Sequence, residues 1–462
     1  MSRHRYLFMG ILFLAFVFGA LPGEAAQAAR PLAVKAALLY DGTGAEPIAD
    51  AVVVVRDGVI ESVGRASDVR IPANAETLDL GNNTIMPGLW DTHGHLRYRY
   101  AGGGAQGRAA QAGGNAGALG MRFTKNARTQ LLCGITTMRM TGEVQGLDFA
   151  IKQAIDSGMV AGPRIIPSGE GITGTGGHGA PFTLEIDGPW EAVKIVRTNF
   201  EHGARLIKLS MMDLSPTKSQ LTHEEAKAAV DVAHASGIPV TAHCTGNWGS
   251  SIRVAVEAGA DSIEHARPLS DEIIQLLKEN GTAVSLTPIV YIGFRPTPEW
   301  WRYLDHDVEK GEQWINFMRE VMVTWRREHP DWETEDRPYA DNESNRASRD
   351  YFPAVKKRQA EVLKAFRAGI PMSLGLDTIY GGITLSMEWL VEAGIPLKDV
   401  IHIATGSAAE ISGFDDIVGT LRPGRAADII SVDGDPRADV RALHKIRLIM
   451  KNGERYDTLS WN

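Results

Sequence analysis

Across the middle of the chain, short apolar runs recur at residues 85–89, 135–140, 164–168, 206–211, 239–242, 262–264, 283–287 and 371–376, with helix-forming segments between several of them. Runs this short, bounded by turn residues, read as strands covered on both faces. One intervening segment carries its own start and stop signals. Thr222-His223-Glu224-Glu225 is a capping box, apolar Ala226, Ala229, Val230 and Ala233 follow at helical spacing, and Gly237 ends the run. Another helix begins at Ser270 and stops at Gly281. Eight strands alternating with helices over residues 85–418 predict an α/β fold, a (β/α)8 TIM barrel with long loops. A doubly wound open sheet is the other solution to such alternation, but no Gly-x-Gly-x-x-Gly turn follows the first strand.

The flanks read differently. Residues 34–40, 51–56, 59–63 and 77–80 are β-runs punctuated by Asp41-Gly42 and Asp57-Gly58; 427–432 and 446–451 are strands, with Asn452-Gly453 as a hairpin turn. They predict a small β-sandwich built from both termini, residues 29–84 and 419–462. Residues 1–28 are an address label: Arg3, His4 and Arg5 precede a nearly unbroken apolar run over 6–21, and Ala26-Gln27-Ala28 supplies the small residues of a cleavage site. The run falls short of the ~20 residues that span a bilayer. The expectation is a cleavable signal peptide and a periplasmic or secreted protein, free of the membrane once cut.

Two connections are long. Residues 97–120 are rich in Gly and Ala, whereas 289–352 form an aromatic insertion carrying Tyr291, Trp300, Trp301, Trp314, Trp325 and Trp332. A lid, a binding loop and a small helical subdomain all suit such a segment. Composition, 44% hydrophobic and 23% charged, excludes a disordered or collagen-like chain. A net charge of -8 excludes a nucleic-acid binder of the usual basic kind. Cys133 and Cys244 cannot make a disulfide framework, and their apolar, strand-like surroundings predict buried free thiols.

Chemistry gathers at the predicted strand ends. His93-Gly94-His95 follows the first strand, where residues two apart face the same way and both imidazoles converge. His243, His265 and Asp377 each close an apolar strand. In a barrel those ends form one ring, where active sites are built. Any one of them alone is explained as a satisfied core residue; five on four strand ends are not. Lys208 lies inside apolar Leu206-Ile207-Lys208-Leu209. Unless it reaches solvent or pairs with an acid such as Asp213, burial lowers its pKa and frees a neutral amine. Such an amine captures carbon dioxide as a carbamate able to bridge two cations.

Met86-Pro87-Gly88-Leu89-Trp90-Asp91-Thr92-His93-Gly94-His95, Lys208, Thr241-Ala242-His243, Ser262-Ile263-Glu264-His265-Ala266, Leu376-Asp377 and the stretch from Gly419 to Asp428 together resemble the amidohydrolase superfamily. The nearest likeness is to its imidazolonepropionase-like and prolidase-like branch with a carboxylated lysine. The resemblance implies two divalent metal ions, usually zinc. His93, His95 and Asp377 would hold the buried ion, His243 and His265 the exposed one, and a carbamate on Lys208 would bridge them. Hydroxide between the ions would attack an amide carbonyl while Asp377 moves the proton to the leaving nitrogen. His178, in Gly176-Gly177-His178-Gly179, matches the branch's substrate-binding histidine, and Arg139 is a candidate for a substrate carboxylate. The tyrosine that relatives often carry after the lysine strand is replaced here by Ser210-Met211-Met212-Asp213, leaving Tyr291 and Tyr380 as candidates to stand in.

Together with the signal segment, the resemblance implies an exported hydrolase of a small-molecule amide: a dipeptide, an N-acyl amino acid or a similar carboxylate-bearing amide. The alternatives are hydrolysis of a cyclic amide or lactone, as in imidazolonepropionase, and a non-catalytic metal-binding interaction protein. Oligomers are common in the superfamily, so a homo-oligomer is also an expectation.

Overall fold

The computed structural model describes residues 30–97, 115–288, 351–377 and 382–456. The signal segment, most of the Gly/Ala-rich connection, nearly all of the aromatic insertion, and Tyr291 and Tyr380 lie outside the described residues. The N-terminal strands are β1 (Leu32–Leu39), β2 (Ile48–Arg56), β3 (Val59–Arg65), β4 (Glu76–Asp79) and β5 (Thr84–Pro87). The central ones are β6 (Leu89–Gly94), β7 (Ile135–Met140), β8 (Arg164–Ile166), β9 (Gly171–Gly174), β10 (Thr183–Ile186), β11 (Ile207–Ser215), β12 (Lys218–Ser219), β13 (Val240–Thr245), β14 (Ser262–Glu264), β15 (Ala283–Leu286) and β16 (Met372–Leu374). The C-terminal strands are β17 (Ile429–Val432), β18 (Ile446–Lys451) and β19 (Glu454–Arg455).

Both termini share one sheet, in the order β19-β18-β17-β5-β1-β2-β3 with β4 on the side of β1. Strand alternation gives it two apolar faces. Val34, Val53, Ile85, Ile429 and Met450 pack in one cluster, and Ala33, Val52 and Val54 in another.

The centre is α/β. Parallel β6, β7 and β8 form one sheet, and a second runs β10-β9-β11-β13-β14-β15-β16 with β12 folded back on β11. The two sheets meet just beyond β16, where Asp377 bridges Gly94 and donates its N–H to the His93 carbonyl at 2.7 Å. At the other junction the Arg205 N–H reaches the Pro167 carbonyl at 2.8 Å. Ile207, Leu209, Val240, Ala242, Ile263, Val284 and Leu374 are buried in one large core with the apolar faces of the surrounding helices. The helices end as their sequences dictate. His223–Ala235 begins at a Thr222 capping box, and Asp271–Asn280 runs from a Ser270 cap to Gly281 in left-handed backbone.

Two expectations change. The run at 85–89 is not one strand: its first part belongs to β5 in the terminal sheet, and the parallel strand starts at Leu89. Pro87 and Gly88 make the break, and Gly88 lies so close to Thr136 that a Cβ there would meet its Oγ1 at 2.1 Å. Cys133 caps the C-terminus of the helix Ala116–Leu132 rather than sitting in a strand, although it and Cys244 are both free and buried.

Candidate metal centre

The centre is built where β6, β13, β14 and β16 end, with Lys208 contributed from the start of β11. The β6–β7 register shifts between Asp91 and Gly94, a bulge that re-aims the side chains after it. His93 and His95 come together with ring centroids 5.2 Å apart. The Nε2 atoms of both rings face the same Asp377 oxygen, at 3.9 and 3.8 Å. Each Nδ1 is backed by a carboxylate, His93 by Glu264 at 3.3 Å and His95 by Glu143 at 3.5 Å. His265 and His243 form a second pair: Nε2 of the former lies 2.8 Å from Nδ1 of the latter, while Thr287 holds the other His265 nitrogen at 2.7 Å. The rings of His93 and His265 are 4.7 Å apart, so the two pairs are continuous. His93, His265 and Asp377 can each offer a ligand atom within 4.8 Å of the others.

Backbone strain marks two of these positions. His265 and Asp377 are non-glycine residues in left-handed backbone, with φ of 61° and 57°. Such conformations cost of order 1–3 kcal/mol each and persist where surrounding structure enforces them. Enforcement at Asp377 comes from its bridge to Gly94 and from Asp91, whose Oδ1 accepts the N–H groups of His93 at 3.0 Å and Leu376 at 2.9 Å. Asp91 is fully buried, and burial pushes its carboxyl up to about 7.

Burial also governs the imidazoles. It holds His93, His243 and His265 well below the usual histidine range and His95 at about 4. All four are thus neutral near pH 7, the state in which a ring nitrogen ligates a metal. His93 Nδ1 is buried, and its 3.3 Å approach to Glu264 is a close contact without hydrogen-bond alignment. Four neutral imidazoles, a carboxylate and a buried lysine suit zinc and its neighbours, and this donor set fits divalent metal.

Lys208 is 2% exposed, and burial lowers its pKa far below that of a free lysine. Its Nζ partner is Glu264, not Asp213. The Asp213 carboxylate turns instead to the loop after β13, accepting from the N–H groups of Trp248, Gly249 and Ser251. Below the centre lies a floor of hydroxyls. Thr92 meets Ser285 and Ser373 at 2.7 and 2.9 Å, and Ser262 meets Thr241 at 2.9 Å. Arg139 runs into this floor, 2% exposed, its Nε donating to the Thr92 carbonyl at 2.8 Å. At the mouth, the His178 ring stacks on His243 with centroids 3.9 Å apart.

The structure therefore brings together His93, His95, Lys208, His243, His265, Asp377 and His178, and sets Arg139 beneath them. Sequence reasoning gave no role to Glu264, Glu143 or Arg97. Glu143 is buried among the Leu96 N–H at 2.9 Å, Arg97 Nη1 at 2.8 Å and His95. Burial alone would raise its pKa, but Arg97 and His95 hold it below the ordinary value. Glu264 carried a readable signal: it is a lone acid inside an apolar strand, the mirror image of Lys208.

The model of the Amidohydrolase family matches residues 84–456. Among characterised relatives, the ochratoxinase of Aspergillus niger is 26% identical over 91% of this chain and 85% of its own length. The imidazolonepropionase of Rhizorhabdus wittichii is 28% identical over 55% of this chain and 69% of its own length. Among solved structures, a Xaa-Pro dipeptidase with bound methionine in its active site superposes with a TM-score of 0.72 and 25% identity, covering 92% of this chain and 99% of that one.

Proposed function

The chain belongs to the amidohydrolase family, and we propose that it is an exported, two-metal member that cleaves a dipeptide, an N-acyl amino acid or a similar amide with a free carboxylate. It is a hydrolase of amide or peptide C–N bonds. We read β6, β7, β8, β11, β13, β14, β15 and β16 as one eight-stranded barrel closed between β16 and β6, with the terminal sheet as the small sandwich beside it. Export rests on residues 1–28 alone.

One observation carries the reading. Two buried imidazoles turn the same nitrogen toward one carboxylate oxygen, and each is backed by a second carboxylate, the usual way a ligating histidine is held. In this reading His93, His95 and Asp377 hold one cation and His243 and His265 the other. Lys208, its amine kept neutral by burial, would add to carbon dioxide with release of a proton to solvent, and the carbamate would offer its two oxygens to the cations. Divalent metal held there, zinc by the histidine-rich donors, supplies Lewis acidity and acidifies water.

The chain's own groups do the rest. The Asp377 side chain is 19% exposed, against 2% for His93, so it can meet solvent water, take its proton and pass it to the leaving nitrogen. His178, at the mouth, donates to the carbonyl oxygen or holds the substrate carboxylate. Arg139 is committed to the hydroxyl floor and contributes positive charge from beneath. The similarity to imidazolonepropionase favours a cyclic amide as the second reading, but it spans 55% of the chain where that to ochratoxinase spans 91%.

Metal analysis of the purified protein, followed by assays on dipeptides and N-acyl amino acids, tests the proposal. Two equivalents of divalent metal and hydrolysis within that panel are expected. Full activity with one equivalent refutes the two-metal site; loaded protein inert toward the whole panel refutes the substrate class.

A further inference from the structure

The turn that carries His178 has little regular structure to hold it. It lies between β9 and the single 3-10 turn Ala180–Phe182, with Gly176 and Gly179 in left-handed backbone at φ of 70° and 76°. Yet the His178 ring lies flat on His243, with 20° between the planes. A stack that close needs its backbone anchored, and the anchor comes from an element remote in sequence. Gln220 follows the β11–β12 hairpin. Its Oε1 accepts the His178 N–H at 2.9 Å and the Met212 N–H at 3.0 Å. The Gln220 N–H in turn donates to the Met212 carbonyl at 3.1 Å. The end of β9 lies against the same residue, since a Cβ on Gly174 would meet the Gln220 carbonyl at 2.6 Å. One amide oxygen, with both lone pairs used, thus splices the His178 turn to the strand that holds Lys208.

We infer that Gln220 is the positioning residue for His178, fixing the ring over His243 where it meets substrate; this rests on the proposed role of His178. A glutamate in its place keeps an oxygen that can accept both N–H groups, whereas leucine fills the space and accepts neither.

The experiment compares Q220L, Q220E and H178A in the full metal-loaded chain. It measures kcat and KM separately on Leu-Pro and N-acetyl-phenylalanine, with metal content and melting temperature alongside. The ring-nitrogen NMR signal of His178, identified by its loss in H178A, is read without substrate. H178A is expected to be impaired, and Q220L to lose about 10- to 100-fold in kcat/KM, the scale of a misplacement near 1 Å. Q220E should stay within about threefold of wild type, and all variants should keep their metal. The His178 signal should move in Q220L and not in Q220E. Should Q220L fail to fold, Q220N replaces it, its carbonyl one methylene too short to reach both amides. A wild-type Q220L beside an impaired H178A overturns the role of Gln220 alone, as does equal loss in Q220L and Q220E. A fully active H178A overturns the reading of His178 itself, and this inference with it.

Discussion

Gly375 offers the sharpest test of how the centre is held. It lies between β16 and Asp377, and a Cβ added there would meet His93 Cβ at 2.4 Å, its N at 2.8 Å and its Cα at 3.1 Å. Ordinary carbon contacts begin near ~3.5 Å, so in Gly375→Ala the two chain segments must part by roughly 1 Å. These neighbours are β6 backbone and Cβ, which cannot swing aside. Overpacking of this kind costs about 1–3 kcal/mol. Stretching the Asp377 N–H bond to the His93 carbonyl adds about 1 kcal/mol. The expected loss is roughly 2–4 kcal/mol, with His93 and Asp377 displaced from each other. Urea denaturation of metal-stripped protein reads the first quantity and metal content after dialysis the second. Gly120 is the control: it lies within the helix Ala116–Leu132 with no atom of the described residues within 4 Å of an added Cβ. Gly120→Ala should stabilise by about 0.5–1 kcal/mol. The same methyl group is thus expected to act with opposite sign at the two sites. A Gly375→Ala protein with the wild-type midpoint and full metal would refute the reasoning.

In metal-stripped protein, Lys208→Met should destabilise by about 1–3 kcal/mol because Glu264 is left buried without its hydrogen-bonding partner, and Lys208→Met with Glu264→Leu should recover most of that; a double variant no more stable than the single one argues against the pair. His95, held at about 4 against 6.5 in a free chain, contributes stability that is complete above pH 6.5 and lost as pH falls toward 4. That residue alone should lower the unfolding free energy of metal-stripped protein by about 2 kcal/mol between pH 7.5 and pH 5, and His95→Gln should flatten the slope by that amount in paired denaturation curves. Burial pushes the Cys133 thiol up to about 12 and raises that of Cys244 as well, so a thiol reagent at pH 8 should label neither in native protein and both in concentrated guanidinium. Rapid labelling of the folded protein would contradict their burial.

The regular elements were legible wherever local rules suffice. The β7 strand occupies the same residues that its apolar run predicts, and the caps at Thr222, Ser270 and Gly281 sit where their side chains or lack of one demand. Short β9 and β12 were not legible, because their glycines and polar residues carry no β pattern, and β10, Thr183-Leu184-Glu185-Ile186, alternates over too few residues to stand out. The same divide runs through the centre. His93, His95, His243, His265 and Asp377 announce themselves as polar residues closing apolar strands. Glu143 and Gln220 look like ordinary surface residues, and only the meeting of segments 48 and 42 positions apart gives them their partners. Lys208 was conspicuous, yet its partner Glu264, 56 positions away, lies on β14, with β13 between the two strands, so the pairing could be read only from the folded sheet.

The shared terminal sheet sets a timetable for the newborn chain. β5 pairs with β17, joining Thr84 to Val432 across 348 positions of the 462-residue polypeptide. During synthesis the early strands emerge with that hydrogen-bonding rim open, and it stays open until the last strands leave the ribosome. An unpaired rim invites the wrong neighbour, and closure over so long a loop is slow. Truncation before Ile429 should therefore yield insoluble protein, even though it spares every residue assigned to the metal centre.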